Sequence, residues 1–221
     1  MRLLDLYCGA GACSVGYYRA GFDDITGVDI VAQPHYPFRF VQSDALEFLV
    51  DHGHEYDFIH ASPPCQAYTQ ARFLKNVRQD HPDLIAATRE ALQLVGKPYV
   101  IENVPGAPLR NPLVLCGSMF GLGVLRHRLF EIEPPIYFVP MTCKHGPVLP
   151  MFWGARRRAL QEGRQYDYIT VAGRSFLVEE ARRAMGIDWM TREEIKQAIP
   201  PAYTEWIGRE LIAVISEWVR A

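Results

Sequence analysis

Arg2-Leu3-Leu4-Asp5-Leu6-Tyr7-Cys8-Gly9-Ala10-Gly11-Ala12-Cys13-Ser14 is the stretch of this sequence that decides the fold. Residues 2–7 read as an apolar strand and 15–20 as a helix closed by Gly21. A strand, a glycine turn and a helix open a nucleotide-binding βαβ unit. Gly9 and Gly11 let backbone approach a ligand, and the helix amino terminus that follows favours negative charge. Ser14 stands where a third glycine would complete the dinucleotide pattern, so by itself the motif is also satisfied by a tight turn.

The next two strands extend the same pattern. Residues 25–30 form a strand ending in Asp29 and Ile30, where an acid hydrogen-bonds ribose hydroxyls in such units. A third short strand over 38–42 runs into Ser43-Asp44-Ala45. Asp44 is either a helix cap or a contact to a ligand's base. Asp5, Asp29 and Asp44 on three strands of one sheet point together to an adenosine-type cofactor. The fold expected is α/β: a Rossmann-like, mostly parallel sheet with helices on both faces.

Tyr56-Asp57-Phe58-Ile59-His60 reads as a buried strand, and Ala61-Ser62-Pro63-Pro64-Cys65-Gln66 follows it. Two prolines, with no amide proton to donate, end the ladder and hold Cys65 on a rigid turn past the strand. Ligands bind at that edge of open α/β sheets, so a thiol there is placed to be a nucleophile. The plainer reading is a small apolar residue put away in the interior. A further strand over 97–101 ends in Glu102-Asn103-Val104-Pro105. If the two strands are parallel, Glu102 and Cys65 share one edge, a carboxyl group and a thiol in one cleft.

The rest of the chain is read more coarsely. Residues 66–82, with Arg72, Lys75 and Arg78, form a loop long enough to be a lid, and 83–95 have helical spacing. Residues 113–120 are apolar core. Arg126-His127-Arg128-Leu129-Phe130-Glu131-Ile132 alternates as a strand does and places both arginines on one face. Residues 136–168 are irregular and carry Arg156-Arg157-Arg158. Cys143 and His145 are metal-ligand types, but no second pair at zinc spacing follows, so no metal is expected. A short strand over 169–173 precedes helices at 178–185 and 191–198, the latter opened by a Thr191–Glu194 box, and a final helix spans 202–219.

At 221 residues with 49% apolar composition, one domain with a full core is expected. Five scattered cysteines argue against a disulfide framework and for a reducing compartment. The sequence shows no secretory signal and no apolar run of about 20 residues, so a cytoplasmic protein is expected. The net charge of −2 does not announce a nucleic-acid partner, which would have to meet a local basic patch.

Taken in order, these motifs resemble the cytosine C5 DNA methyltransferases, over most of the chain. Asp5-Leu6-Tyr7-Cys8-Gly9-Ala10-Gly11 resembles the family's first motif, with Tyr7 at a position usually held by Phe. Pro64-Cys65-Gln66 resembles the nucleophile motif, Glu102-Asn103-Val104 the cytosine-recognition motif, and Arg126 with Arg128 the eighth motif. Residues 180–186 resemble the ninth. The resemblance implies S-adenosyl-L-methionine as cofactor, leaving as S-adenosyl-L-homocysteine, held by Asp5, Tyr7, Gly9, Gly11, Asp29, Ile30, Asp44, Ala45 and Pro63. It implies Cys65, Glu102, Arg126 and Arg128 as catalytic residues. Pro64, Gln66, Asn103 and Arg156 to Arg158 are then on the substrate side, which is double-stranded DNA with a cytosine flipped out.

Three departures stand out. The tenth motif's Gly-Asn is replaced around Ile199-Pro200-Pro201-Ala202-Tyr203, the eighth motif lacks its glutamine, and the target-recognition region is reduced to 134–168. The expected layout is a catalytic and cofactor-binding part at 1–133, the small recognition insertion at 134–168, and a part at 169–221 that completes the catalytic domain. Such small members are similar to those of phage genomes, with restriction-modification or regulation as the setting. A monomer is expected, and a partner chain that supplies sequence recognition is compatible with so small an insertion. The same chemistry on RNA or a free cytosine nucleotide, and a catalytically silent DNA-binding subunit, are the competing readings. An amino methyltransferase would want an Asp-Pro-Pro-Tyr type turn, and a nicotinamide oxidoreductase leaves Cys65 and its Glu-Asn-Val partner unexplained.

Overall fold

The computed structural model describes residues 1–65, 68, 83–136, 139, 141–150, 153–173 and 176–218. Seven strands make one sheet in the order β3-β2-β1-β4-β5-β7-β6. They are β1 (Arg2–Leu6), β2 (Asp24–Asp29), β3 (Arg39–Gln42), β4 (Phe58–Ala61), β5 (Tyr99–Asn103), β6 (Leu113–Leu115) and β7 (Arg128–Glu133). The first five in chain order pair in parallel, and β7 runs antiparallel to both β5 and β6. The strand order reverses between β1 and β4, which opens a crevice at their carboxyl ends.

Both faces of the sheet are covered, which is why β1, β4 and β5 read as nearly unbroken apolar runs. On one face Leu3, Phe58 and Val100 pack against Tyr17 of α1 (Ala12–Ala20) and against Ile207 and Leu211 of α7 (Pro201–Trp218). On the other, Leu4, Leu6 and Ile59 pack against Leu49 of α2 (Ala45–His52) and Leu92 of α3 (Ile85–Val95). A third cluster joins Ala10 and Ala12 of the glycine turn to Ala181 and Met185 of α5 (Val178–Met185) and Ile195 of α6 (Arg192–Gln197). The Thr191–Glu194 capping box expected for α6 is formed.

Three departures from the sequence reading concern the second half. A helix, α4 (Trp153–Gln161), lies inside the stretch read as irregular. Residues 169–173 form no strand; Ile169 makes only a single bridge to Val124. Strand β7 begins at Arg128, so Arg126 lies just before it. Among the described residues no helix is long and apolar enough to cross a membrane.

The α1–α7 contact ties the last helix to the first. A Cβ on Gly16 would stand 2.0 Å from Thr204 Oγ1 and 2.2 Å from the Pro201 carbonyl oxygen, so only glycine allows this approach. Gly16→Ala is expected to lower unfolding stability by about 3 kcal/mol, by overpacking against backbone that cannot move aside. Gly154→Ala, whose Cβ meets nothing within 4 Å, is the control that should stay within about 0.5 kcal/mol of wild type in urea denaturation.

Candidate active site

The crevice beyond β1 and β4 is a cavity of about 320 Å³. Tyr7, Gly9, Asp29 and Ile30 line one part of it, and Ser62, Pro63, Pro64, Cys65, Glu102 and Arg128 another. Met190 and residues 196–199 close it from the C-terminal part. The cofactor-type and nucleophile-type motifs therefore open onto one space, as the sequence reading requires.

The glycine turn is built by backbone geometry. Tyr7 has a φ of 56°, rare for a residue with a side chain, and Gly9 and Gly11 have φ of 49° and 83°. A Cβ on Gly11 would come within 2.7 Å of Pro37 and 2.9 Å of Tyr36. Gly9 lines the cavity, and a Cβ there would meet no protein atom within 4 Å. It leaves space for a ligand to touch backbone. The Tyr7 hydroxyl bonds Thr88 Oγ1 of α3 at 3.0 Å, a partner that the family's usual phenylalanine would not have.

Asp29 accepts the Gly9 amide on one oxygen and the Val31 amide on the other, each at 3.0 Å. A carboxylate keeps further lone pairs after two such bonds, so it retains capacity for ribose hydroxyls. Asp44 caps α2, accepting from the Leu46 and Glu47 amides at 2.8 and 3.1 Å. Ala45 lies in the core with 3% exposure and turns no side chain toward the cavity. Neither residue is among those lining the cavity.

Asp5 is fully buried beneath the turn, where Ser14 Oγ donates to it at 2.5 Å and Tyr36 hydroxyl meets that same Ser14 Oγ at 2.6 Å. Burial raises its pKa to about 8, with the Ser14 bond opposing. The folded state thus holds a proton that the unfolded chain releases near pH 4, and the associated stability is present at low pH and lost as pH rises toward 8. Asp5→Asn should flatten the pH dependence of unfolding free energy between pH 5 and 8, a slope of up to about 1.4 kcal/mol per pH unit in wild type. Urea titrations at several pH values check this.

The nucleophile turn is held from below. Asn103 is 1% exposed; its Nδ2 donates to the Pro63 carbonyl at 2.9 Å, and its Oδ1 accepts the Val104 amide. Expected on the substrate side, Asn103 instead clamps the turn to β5. His60, which the sequence reading passed over, lies between the Tyr17 hydroxyl and Ser62 Oγ, 3.0 Å from each. Burial pushes its pKa down to about 3, so the ring is neutral and serves to fix Ser62, which lines the cavity.

Parallel β4 and β5 bring Cys65 and Glu102 to one edge, and antiparallel β7 delivers Arg128 to the same place. Arg128 Nε stands 3.0 Å from Glu102 Oε1, yet that buried oxygen accepts no aligned hydrogen bond. Glu102 is 7% exposed; burial raises its pKa above the usual carboxylate range, with Arg128 opposing. Burial and then the Glu102 charge raise the Cys65 pKa as well, with Arg128 and Arg126 working against them. The Arg89 guanidinium, bonded twice to Glu131 at 2.7 Å, locks β7 to α3 and so fixes Arg128 laterally.

Arg126 adds its charge to that of Arg128 around Glu102 and Cys65, but its hydrogen bonds go to other partners. Its guanidinium donates to the Val171 carbonyl at 2.8 Å and the Lys196 carbonyl at 2.5 Å, and its own carbonyl accepts the Tyr203 hydroxyl at 2.6 Å. It holds the C-terminal segment against β7. Residues 198 and 199 line the cavity where the tenth motif was expected to differ, and the buried Tyr203 anchors them. The three arginines of α4 also separate: Arg156 is buried and ion-paired with Glu180 of α5, while Arg157 and Arg158 are exposed. Gln66 and, apart from Tyr68, the expected lid with Arg72, Lys75 and Arg78 lie outside the described residues. Away from the cavity, Cys143 and His145, expected to stand without a second pair, lie beside Cys116 and His127.

Residues 1–111 match the family model of C-5 cytosine-specific DNA methylases. A curated relative, the Type II methyltransferase M.FnuDI of Fusobacterium nucleatum, is 27% identical over 113 residues, 48% of this chain and 33% of that protein. The match therefore spans about a third of the relative's length. Among solved structures, a prophage-encoded E. coli protein described as a DNA modification methyltransferase has a TM-score of 0.66 at 16% identity, with 98% of this chain and 99% of that one covered. Dnmt2 methyltransferase of S. pombe has a TM-score of 0.64 at 14% identity, covering 97% and 99%. At these identities the structural likeness is one of fold. The family match covers the glycine turn, Asp29, Cys65 and Glu102, which the fold gathers around one cavity, and on that ground the chain belongs to the C-5 cytosine-specific DNA methylases.

Proposed function

We propose that this protein transfers a methyl group to C5 of cytosine in duplex DNA through a covalent bond between Cys65 and C6. The observation that carries the reading is the convergence of Cys65, Glu102 and Arg128 on the cavity that Gly9 and Asp29 also line. The cavity fits an S-adenosyl-L-methionine cofactor: Gly9 leaves backbone open to it, Asp29 keeps acceptor capacity, and Tyr7, Ile30 and Pro63 supply apolar wall. When bound, that cofactor supplies the methyl group as a carbon electrophile.

Cytosine C5 is a weak nucleophile, and addition of the Cys65 thiolate to C6 turns the ring into an enamine whose C5 is strong enough to take a methyl group. The electron pair displaced from the C5–C6 bond moves toward N3 and O2. Glu102, whose burial favours the protonated form, donates a proton to N3, and its Oε1 accepts from the exocyclic amino group. Arg128 stabilises charge developing at O2. After C5 gains the methyl group a base removes its proton, the C5–C6 double bond re-forms, the Cys65–C6 bond breaks and N3 returns its proton to Glu102.

A stacked cytosine offers no access to C6, so the base leaves the duplex to react. Residues 134–168 are the recognition insertion, set on the catalytic part by the Arg156–Glu180 pair, and Arg157 and Arg158 are its phosphate contacts. The protein acts inside the cell, where DNA and cofactor are both present, and restriction-modification is a setting compatible with the Type II relative.

The test is transfer of labelled methyl groups to duplex DNA, RNA and dCMP side by side, with the product base identified. 5-Methylcytosine in duplex DNA is the expected result. Labelling of RNA or dCMP alone would move the substrate assignment, and a labelled exocyclic amino group would overturn the chemistry.

A further inference from the structure

Cys116, His127 and the Cys143–His145 pair come from three places in the chain. Cys116 follows β6, His127 precedes β7, and Cys143 and His145 lie in the segment after β7. Their ligand atoms all lie within 4.8 Å of one another. Cys116 Sγ is 3.8 Å from His145 Nε2, Cys143 Sγ is 3.4 Å from His127 Nε2, and Cys143 Sγ is 2.7 Å from His145 Nε2. With Zn–S of about 2.3 Å and Zn–N of about 2.0 Å, the edges of a tetrahedral Cys2His2 site are about 3.3–3.8 Å. Two of the three distances fall in that range, and a small outward shift of exposed His145 brings in the third. Cys116 is buried and both imidazoles present Nε2 to the centre. Ser118 Oγ lies 3.4 Å from each sulfur and accepts the Lys144 amide at 3.2 Å, which holds the two sulfur-bearing loops together.

We propose that these four residues bind one Zn²⁺ as a closed, structural tetrahedral site. The mixed thiolate and imidazole donor set suits zinc over magnesium or calcium, which take oxygen ligands. Four protein ligands leave no position for a catalytic water. The ion clips residues 143–145 to the sheet edge formed by β6 and β7. His127 sits between Arg126 and Arg128, so the clip also sets the start of β7, from which Arg128 reaches Glu102. The spacing, with ten residues between the first two ligands and fifteen between the next two, matches no local zinc signature, and only the antiparallel β6–β7 pairing closes it.

The test uses the full chain, purified under reductant from zinc-replete medium, with metals quantified by mass spectrometry; one zinc per chain is expected. Protein stripped by chelator and titrated with Co²⁺ should reach saturation at one equivalent, with strong visible bands of tetrahedral cobalt and a thiolate charge-transfer band that zinc abolishes. His145→Ala, at an exposed position, should bind cobalt at least about 100-fold more weakly. Cys143→Ser should lose about half the charge-transfer intensity. Lys144→Ala, which removes no ligand atom, should match wild type. Metal-free or iron-loaded protein, a Cys116–Cys143 disulfide in the reduced preparation, or a wild-type cobalt spectrum in both ligand variants would overturn the proposal.

Discussion

Cys65→Ala is expected to lose at least about 10⁴-fold in methyl transfer to duplex DNA while binding S-adenosyl-L-homocysteine as wild type does. The size follows from the role: without the thiolate there is no bond to C6, and C5 stays too poor a nucleophile. The cofactor side should be untouched, because Cys65 lies on the β4 turn and the glycine turn and Asp29 lie on β1 and β2. The residue is half-buried on a turn fixed by two prolines and by Asn103, so its truncation should leave the fold intact. Single-turnover rates beside calorimetric cofactor binding separate the two effects. Retention of transfer within tenfold of wild type would remove the thiol from the chemistry.

Glu102→Gln is expected to lower kcat by about 10² to 10⁴-fold with KM for DNA changed by less than about fivefold. Glutamine still offers a donor toward N3 and an acceptor toward the amino group, but it cannot give up a proton. The pH profile carries a sharper signature. Catalysis needs Glu102 protonated and Cys65 ionised, while the Glu102 pKa lies in the raised carboxylate range and that of Cys65 in the raised thiol range. The competent form is therefore the minor one. Its fraction climbs until Glu102 begins to lose its proton, is level between the two pKa values, and falls once Cys65 is already ionised. With glutamine in place the level and falling regions should disappear, leaving a rate that rises with pH up to the Cys65 pKa and then holds. An unchanged profile would place Glu102 in a purely structural partnership with Arg128.

Much of this architecture could be read without coordinates. Apolar runs ending in Asp, Pro or Glu marked β1, β2, β4 and β5, because burial on both faces leaves no polar alternation and the ligand edge gathers the functional groups. The parallel pairing of β4 with β5 was needed to make Cys65 and Glu102 neighbours, and the sheet has it. The roles of Asn103 and Arg126 were less legible. Both are polar residues beside a reactive motif, and nothing local tells a side chain that meets substrate from one that bonds Pro63 or Val171 backbone. His60 looked like part of an apolar strand, and its place between Tyr17 and Ser62 depends on α1 packing over β4. Helix α4 was missed because Arg156, Arg157 and Arg158 obscured its periodicity; among its described side chains only Arg156 and Ala159 turn inward. Of the Cys116–His127–Cys143–His145 cluster only Cys143 and His145 are close in sequence, and Cys116 and His127 join them through strand pairing at the sheet edge.

The most direct measurement of the central claim uses a duplex in which the target cytosine carries fluorine at C5. A base can remove hydrogen from C5 as a proton but cannot remove fluorine that way, so once C5 carries the methyl group the Cys65–C6 bond has no elimination by which to break. Incubation with this duplex and S-adenosyl-L-methionine, followed by denaturation, digestion and mass spectrometry, should find the 5-fluoro-5-methyl cytosine ring attached to the peptide containing Cys65. The adduct should be absent from the Cys65→Ala protein. A wild-type protein that methylates ordinary cytosine at C5 yet leaves every cysteine unmodified by the fluorinated duplex would contradict the covalent account.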